Sequence, residues 1–333
     1  MTETMAHHQF EAEKEEPMNI TIKIGISSCL LGNKVRYDGG HKLDRYIRDT
    51  LGQYFQFVPV CPEVECGLPV PRESMRLVGD MDSPRLMTTR TGVDHTRRML
   101  TWAANRVQEL EKEDLCGFIF KKDSPSSGML RVKIYNTKGM AERKGSGLFA
   151  KAFMAHFPRL PVEDEGRLHD PRLRENFIER IFALRRWRSL LAGPWKTGRL
   201  VMFHSNEKLL ILAHSPQHYR QMGKLVADGG QMAPGALYDA YERLFMAALM
   251  LKTTPSKNVN VLQHILGYFK HQLSADEKQE MLEILDSYRR GDVPLIVPVT
   301  LANHFVRKYS QPYLAGQSYL NPHPIALQLR NHV

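Results

Sequence analysis

Four short apolar or alternating runs, residues 22–26, 56–60, 117–120 and 131–135, alternate in the first half of the chain with segments of helical spacing at 43–53 and 95–112. Strands alternating with helices predict an α/β domain with a Rossmann-like, mostly parallel sheet, which gathers ligands beyond the carboxyl ends of its strands. Three loops leave those ends: SSCLLGNKVRYDGG, CPEVECGLPVPRE and KKDSPSSG. After Pro194 the pattern changes. Segments 197–214, 217–228, 235–252, 258–272 and 275–290 all show helical periodicity, Ser274 with Glu277 spells a capping box, and Gly291 stands where that helix should stop. The expectation is a second, mainly α-helical domain. The division expected is a disordered leader over residues 1–19, a first domain over 20–165 and a second over 166–333, with the boundary in the zone 160–175. The proline-bearing tail from VPLIVPVTLANHF onward reads as irregular structure packed back on the second domain.

With 333 residues, either domain is long enough to bury its own core. No run of about 18 apolar residues exists, which excludes a membrane-spanning helix, and the polar first residues have no secretory apolar region; the compartment expected is the cytoplasm. The four cysteines, Cys29, Cys61, Cys66 and Cys116, read as metal-binding, catalytic or plain core thiols, not as a disulfide framework.

Cys29 and Cys61 each follow an expected strand directly, so the fold brings both to one edge of the sheet. Two such thiols can begin an iron–sulfur or zinc site; on the residues alone, buried inert thiols explain them better. Glu63, two residues after Cys61, can share the same crevice as a proton donor or acceptor, or lie solvated in its loop. The KKDSPSSG loop supplies two lysines and three hydroxyls, Lys121, Ser124 and Ser127 among them, with backbone N–H groups, a combination that binds anions or forms an ordinary turn. Lys34, Arg36, Tyr37, Asp38, His41 and Lys42, with the more distant Arg72, surround the crevice with mainly positive charge and one aromatic face, which suits a nucleotide, and Ser28 is a further candidate for substrate; a solvated rim is the alternative.

The net charge of +10 is uneven: residues 181–333 hold 18 Lys and Arg against 10 Asp and Glu, a difference of +8, leaving +2 for residues 1–180. A basic second half points to a polyanion, or to no more than a basic surface. The candidates for RNA binding there are Arg185, Arg186, Arg188, Lys196, Arg199 and Lys208. Helical spacing puts Arg185 and Arg188 on one face and turns Trp187 elsewhere, toward the core.

SSCLLG, VRYDGGHK, VCPEVECGLPVPRE and the SPS-Gly loop together resemble the bacterial thiouracil desulfidase family. HSNEKLLILAHSPQHYRQMG, NVNVLQHILGYFK and VPLIVPVTLANHF are similar to the uncharacterised domain often fused to it, and fused chains of this kind resemble the tRNA 4-thiouridine desulfidases. The resemblance runs through nearly all of the chain after Asn19. It implies a catalytic iron–sulfur domain and a helical RNA-binding domain, acting as a non-redox hydrolase that turns 4-thiouridine in tRNA into uridine. It also implies a [4Fe–4S] cluster held by three cysteines, whose open iron captures the thiocarbonyl sulfur while water replaces it at carbon. By position, Cys29 and Cys61 match two ligands, Glu63 the catalytic carboxylate and Ser124 a hydroxyl that handles substrate or water. At the third ligand the family reads SPSCG and this chain reads SPSSG, so Ser127 stands at the expected cysteine. The favoured reading is an altered variant; the other is a natural form that recruits Cys66 or binds no cluster. In either case the chain is expected to be inactive or cluster-free. Two rivals stand beside this function: a thiouracil or thionucleoside salvage enzyme acting on free bases, and a non-catalytic RNA-binding or cluster-sensing protein.

Overall fold

The computed structural model describes residues 21–136 and 138–332, so the expected leader lies outside the described residues. Its strands are β1 Ile22–Ser27, β2 Phe55–Val60, β3 Met75–Val78, β4 Arg85–Thr88, β5 Gly117–Phe120, β6 Val132–Tyr135, β7 Ala141–Gly145 and β8 Val162–Asp164. Four of them form a wholly parallel sheet in the order β2-β1-β5-β8. β1 is central, with Ile22, Ile24 and Ile26 buried. Gly25 is required there: a Cβ would stand 2.3 Å from the Phe118 ring of β5. Pro59, which has no N–H to give to a ladder, sits in the edge strand β2.

The run at 131–135 is a strand, but not of that sheet. β6 pairs with β3 and β7 in a second, mixed sheet ordered β4-β3-β6-β7. The sequence reading missed β3, β4, β7 and β8. β7, with the sequence AERKG, leaves four of its five residues exposed and so has no apolar alternation to read. The predicted helix at 43–53 is a single wide turn, Tyr46–Thr50, followed by a 3₁₀ turn, Leu51–Gln53.

The helices are α1 Pro62–Glu65, α2 Thr96–Glu111, α3 Leu148–His156, α4 Pro171–Leu191, α5 Thr197–His214, α6 Pro216–Ala227, α7 Pro234–Met250, α8 Pro255–Tyr268, α9 Ala275–Arg290, α10 Ile296–Lys308 and α11 Pro312–Ala315. The capping box of α9 forms, and Gly291 ends that helix in the left-handed region. α10 corrects the expectation of an irregular tail: Pro298 falls in its first turn, where a backbone N–H has no helical acceptor and its loss costs little.

α4 serves both halves of the chain. Phe177, Ile178 and Ile181 share one apolar cluster with Ile22, Ile24 and Ile26 of β1, while Trp187, fully buried, stacks on Tyr241 of α7 at 5.2 Å. Leu327 and Leu329, near the C-terminus, return into the same cluster as β1. Among the described residues no helix is long and apolar enough to cross a membrane.

Candidate active site

A cleft of about 360 Å³ opens beyond the carboxyl ends of β1, β2 and β5. Each strand delivers its following residues to the wall: Ser27 to Cys29 after β1, Cys61 to Glu63 after β2, and Lys121 to Pro125 with Ser127 after β5. Cys29 lies in a 3₁₀ turn that Gly32 closes at φ 96°, a conformation open to glycine. Cys61 stands just before α1; its N–H donates to Glu65 Oε1 at 2.7 Å, and Glu65 is paired with Arg106 of α2 at 3.0 Å. Cys29, Cys61 and Ser127 therefore wall one cavity, although 66 residues separate the second from the third.

Burial dominates the thiols. It pushes Cys29 up to about 11, against the pull of Lys121, and Cys61 up to about 12 with the Glu63 charge adding to it. The Cys61 thiol faces Glu63 Oε2 at 3.6 Å, and Arg72, whose side chain is 8% exposed, lies 3.8 Å from the same oxygen. The other Glu63 oxygen accepts from the hydroxyl of Ser126, which is fully buried, and Ser126 Oγ is 2.9 Å from Ser124 Oγ. Ser126 is one of the three hydroxyls expected of this loop, but nothing in SPSS marks it as the one that meets Glu63.

Of the residues expected around the crevice, His41 stays outside, while Ser28, Arg36, Tyr37, Lys42, Arg72 and Lys121 line the cleft, joined by Lys122. Lys34 and Asp38 do not. Both are exposed, and the carboxylate of Asp38 is held below its usual range by the Gly40 N–H and the Arg36 guanidinium.

The predicted RNA-binding residues are not brought together at the cleft. Arg185 and Arg188 reach Asp114, at 3.7 and 2.8 Å, beside the amino end of β5 and so on the opposite edge of the sheet. Arg186 is committed to the buried Glu207 at 2.5 Å and to the Pro322 carbonyl. Arg199 donates to the Pro194 carbonyl, Lys196 is exposed, and Lys208 lies over the Tyr313 ring at 4.9 Å. Helical spacing grouped the arginines by sequence, but could not show that acidic partners elsewhere in the fold already hold them.

Residues 24–165 match the family described as 2-thiouracil desulfurase, and residues 208–324 match one described as a protein of unknown function, DUF1722. The uncharacterized protein YbbK of Bacillus subtilis (strain 168) is 30% identical over 146 residues, spanning 42% of this chain and 95% of its own length. The chain belongs to the 2-thiouracil desulfurase family. It is also similar to the uncharacterized protein YbgA of Escherichia coli (strain K12), 34% identical over 161 residues that span 48% of this chain and 95% of that protein. Among solved structures, the [4Fe-4S]-dependent thiouracil desulfidase TudS is 30% identical, with 45% of this chain and 95% of that one covered and a TM-score of 0.38.

The desulfurase domain of this chain does not offer three thiols for a cluster. Cys66 turns its sulfur to the Glu63 carbonyl at 3.3 Å and is absent from the cleft wall; Cys116 lies at the other edge of the sheet, where its N–H meets Lys23 and its sulfur Arg188. The donor set facing the cleft is two thiols and the Ser127 hydroxyl, a harder and far less acidic group than thiolate. A three-thiolate ligand set therefore does not fit the residues present.

Proposed function

We propose that this protein removes sulfur from 4-thiouridine carried in tRNA, giving uridine by exchange of sulfur for water without a redox change. The observation that carries the reading is the convergence in one cleft of a desulfurase domain of a carboxylate, Glu63, a serine hydroxyl, Ser124, and the cations Arg36, Lys42, Arg72 and Lys121. A free thiouracil is uncharged and has no use for such a rim; a nucleotide in RNA does, with its ring against Tyr37 and its phosphates on Lys42 and on the outer faces of Arg36, Arg72 and Lys121, which also pair with Asp38, Glu63 and Glu165. Glu63 takes the proton of the attacking water and Ser124 holds that water. The [4Fe–4S] cluster on which the solved relative depends would meet two thiols and a hydroxyl here, so no step is assigned to it.

Ser127 favours a second reading, an RNA-binding protein that holds thiolated tRNA without turning it over. Sulfide release is to be measured on 4-thiouridine tRNA and on free 4-thiouracil, with the chain as it stands and with Ser127→Cys. The proposal expects tRNA to be the better substrate and its use to weaken as salt rises. Equal use of the free base would give the salvage reading, and tight tRNA binding without sulfide from either form would give the RNA-binding one.

A further inference from the structure

We propose that the outer face of the second sheet carries the RNA strand that enters the cleft, its phosphates held by Arg76, Lys133 and Arg143. This rests on the tRNA reading above and moves the RNA surface from the helical half of the chain to the desulfurase domain itself.

Burial divides the sheet into two faces. Leu77, Leu86, Val132 and Ile134 are buried in one apolar cluster with Met99 of α2 and Leu148 of α3. The residues that alternate with them point the other way. Among these, Arg76 stands opposite Met87 and Lys133 stands opposite Arg143. Arg76 and Lys133 immediately precede Leu77 and Ile134, which pair in the parallel register of β3 with β6. Arg76, Lys133 and Arg143 thus form one row across three neighbouring strands, each strand about 4.8 Å from the next.

Such a row works against the fold, because like charges directly opposite each other destabilise a sheet. Its neighbours in the chain offset only part of that cost. Arg143 meets Asp123 at 3.0 Å, but the two side chains are 50% and 51% exposed, so solvent screens the pair. The Arg76 guanidinium lies over the Tyr135 ring at 5.1 Å, while its buried Nε meets no hydrogen-bond partner among the described residues. Lys133 is exposed. Residues 131–144 hold five Lys and Arg against one Glu, a local +4 that exceeds the +2 of the whole of residues 1–180. A phosphate backbone supplies the negative charge that this face lacks, and Tyr135 brings an aromatic ring to it.

The row is continuous with the cleft. β3 leaves the cleft wall at Ser74 and Met75, directly before Arg76, and Asp123, the partner of Arg143, belongs to the same wall. A strand lying on Lys133 and Arg143 therefore reaches the cleft without crossing a neutral gap. The arginines of α4 offer no such path, since Arg185, Arg186 and Arg188 are already held by Asp114 and Glu207.

The test is binding of 4-thiouridine tRNA to the full chain by fluorescence anisotropy over a range of salt, which needs no turnover. The double variant Lys133→Gln, Arg143→Gln should raise Kd by about tenfold or more and lower the slope of log K against log salt by about 2. Its urea unfolding midpoint should hold or rise, because the repulsion between the two strands is gone. The matched double variant Lys196→Gln, Lys208→Gln in the helical half should change Kd by less than about twofold. An effect confined to the second variant, a lowered unfolding midpoint in the first, or polyglutamate competing as well as RNA of equal charge would overturn the surface while leaving the desulfidase reading to the sulfide assay. If the unaltered chain binds no tRNA, the tRNA reading fails and this surface falls with it.

Discussion

The Cys61 thiol stands 3.6 Å from Glu63 Oε2, across the turn that opens α1. Burial first and the Glu63 charge second push that thiol up to about 12, and Cys29, with Glu63 a smaller cause, up to about 11. Removing the negative charge makes the thiolate easier to form, so Glu63→Gln should move the alkylation of Cys61 to lower pH, and that of Cys29 by less. Peptide-level mass spectrometry of iodoacetamide labelling against pH reads both. An unmoved Cys61 curve would mean that the carboxylate and thiol are not coupled.

Arg186 belongs to the core before it belongs to any RNA surface. Its guanidinium spans both carboxylate oxygens of Glu207, whose side chain is 1% exposed, and reaches the Pro322 carbonyl. Arg186→Ala strands a buried charge and should cost about 3–5 kcal/mol of unfolding free energy, while the further change Glu207→Gln recovers part of it. Urea denaturation measures the loss. A protein of unchanged stability that no longer binds tRNA would return Arg186 to the RNA surface.

A buried carboxylate ties the tail to α4. Burial alone would raise Glu179, but His214 at 2.5 Å and Arg330 at 3.2 Å override it and hold the group down at about 2. Because its folded value is depressed, its contribution is complete above the ordinary carboxylate range and is lost as pH falls from about 4.5 toward 2. Glu179→Gln should therefore weaken the fold at neutral pH and flatten the fall in stability over that window. Urea unfolding at pH values between 7 and 2 tests this; an unchanged slope in the variant would show that Glu179 does not govern the acid limb.

The strands that bear the cleft were legible in the sequence because β1, β2 and β5 are short apolar runs whose exits carry the chemistry. Cys29, Cys61, Glu63, Ser124 and Ser127 come together at those exits. Of the second sheet only β6 was legible: β7 is almost wholly exposed, and β3 and β4 are four-residue strands whose buried residues, Leu77 in one and Leu86 and Thr88 in the other, are too few to set a period. Nor could spacing show that Arg185, Arg186 and Arg188 already have carboxylate partners, since Asp114 and Glu207 meet them only through the fold. The contact of Ser126 stayed hidden for the same reason, its partner Glu63 lying 63 residues away.

The most direct test of the account is to reconstitute the chain and its Ser127→Cys form anaerobically with iron and sulfide, incubate each with 4-thiouridine tRNA, and count uridine formed by nucleoside mass spectrometry. The account predicts that Ser127→Cys gains the broad visible absorbance of an iron–sulfur cluster and converts 4-thiouridine to uridine, far exceeding the unaltered chain on both measures. Intact 4-thiouridine in both reactions, with no cluster absorbance in either protein, would contradict it.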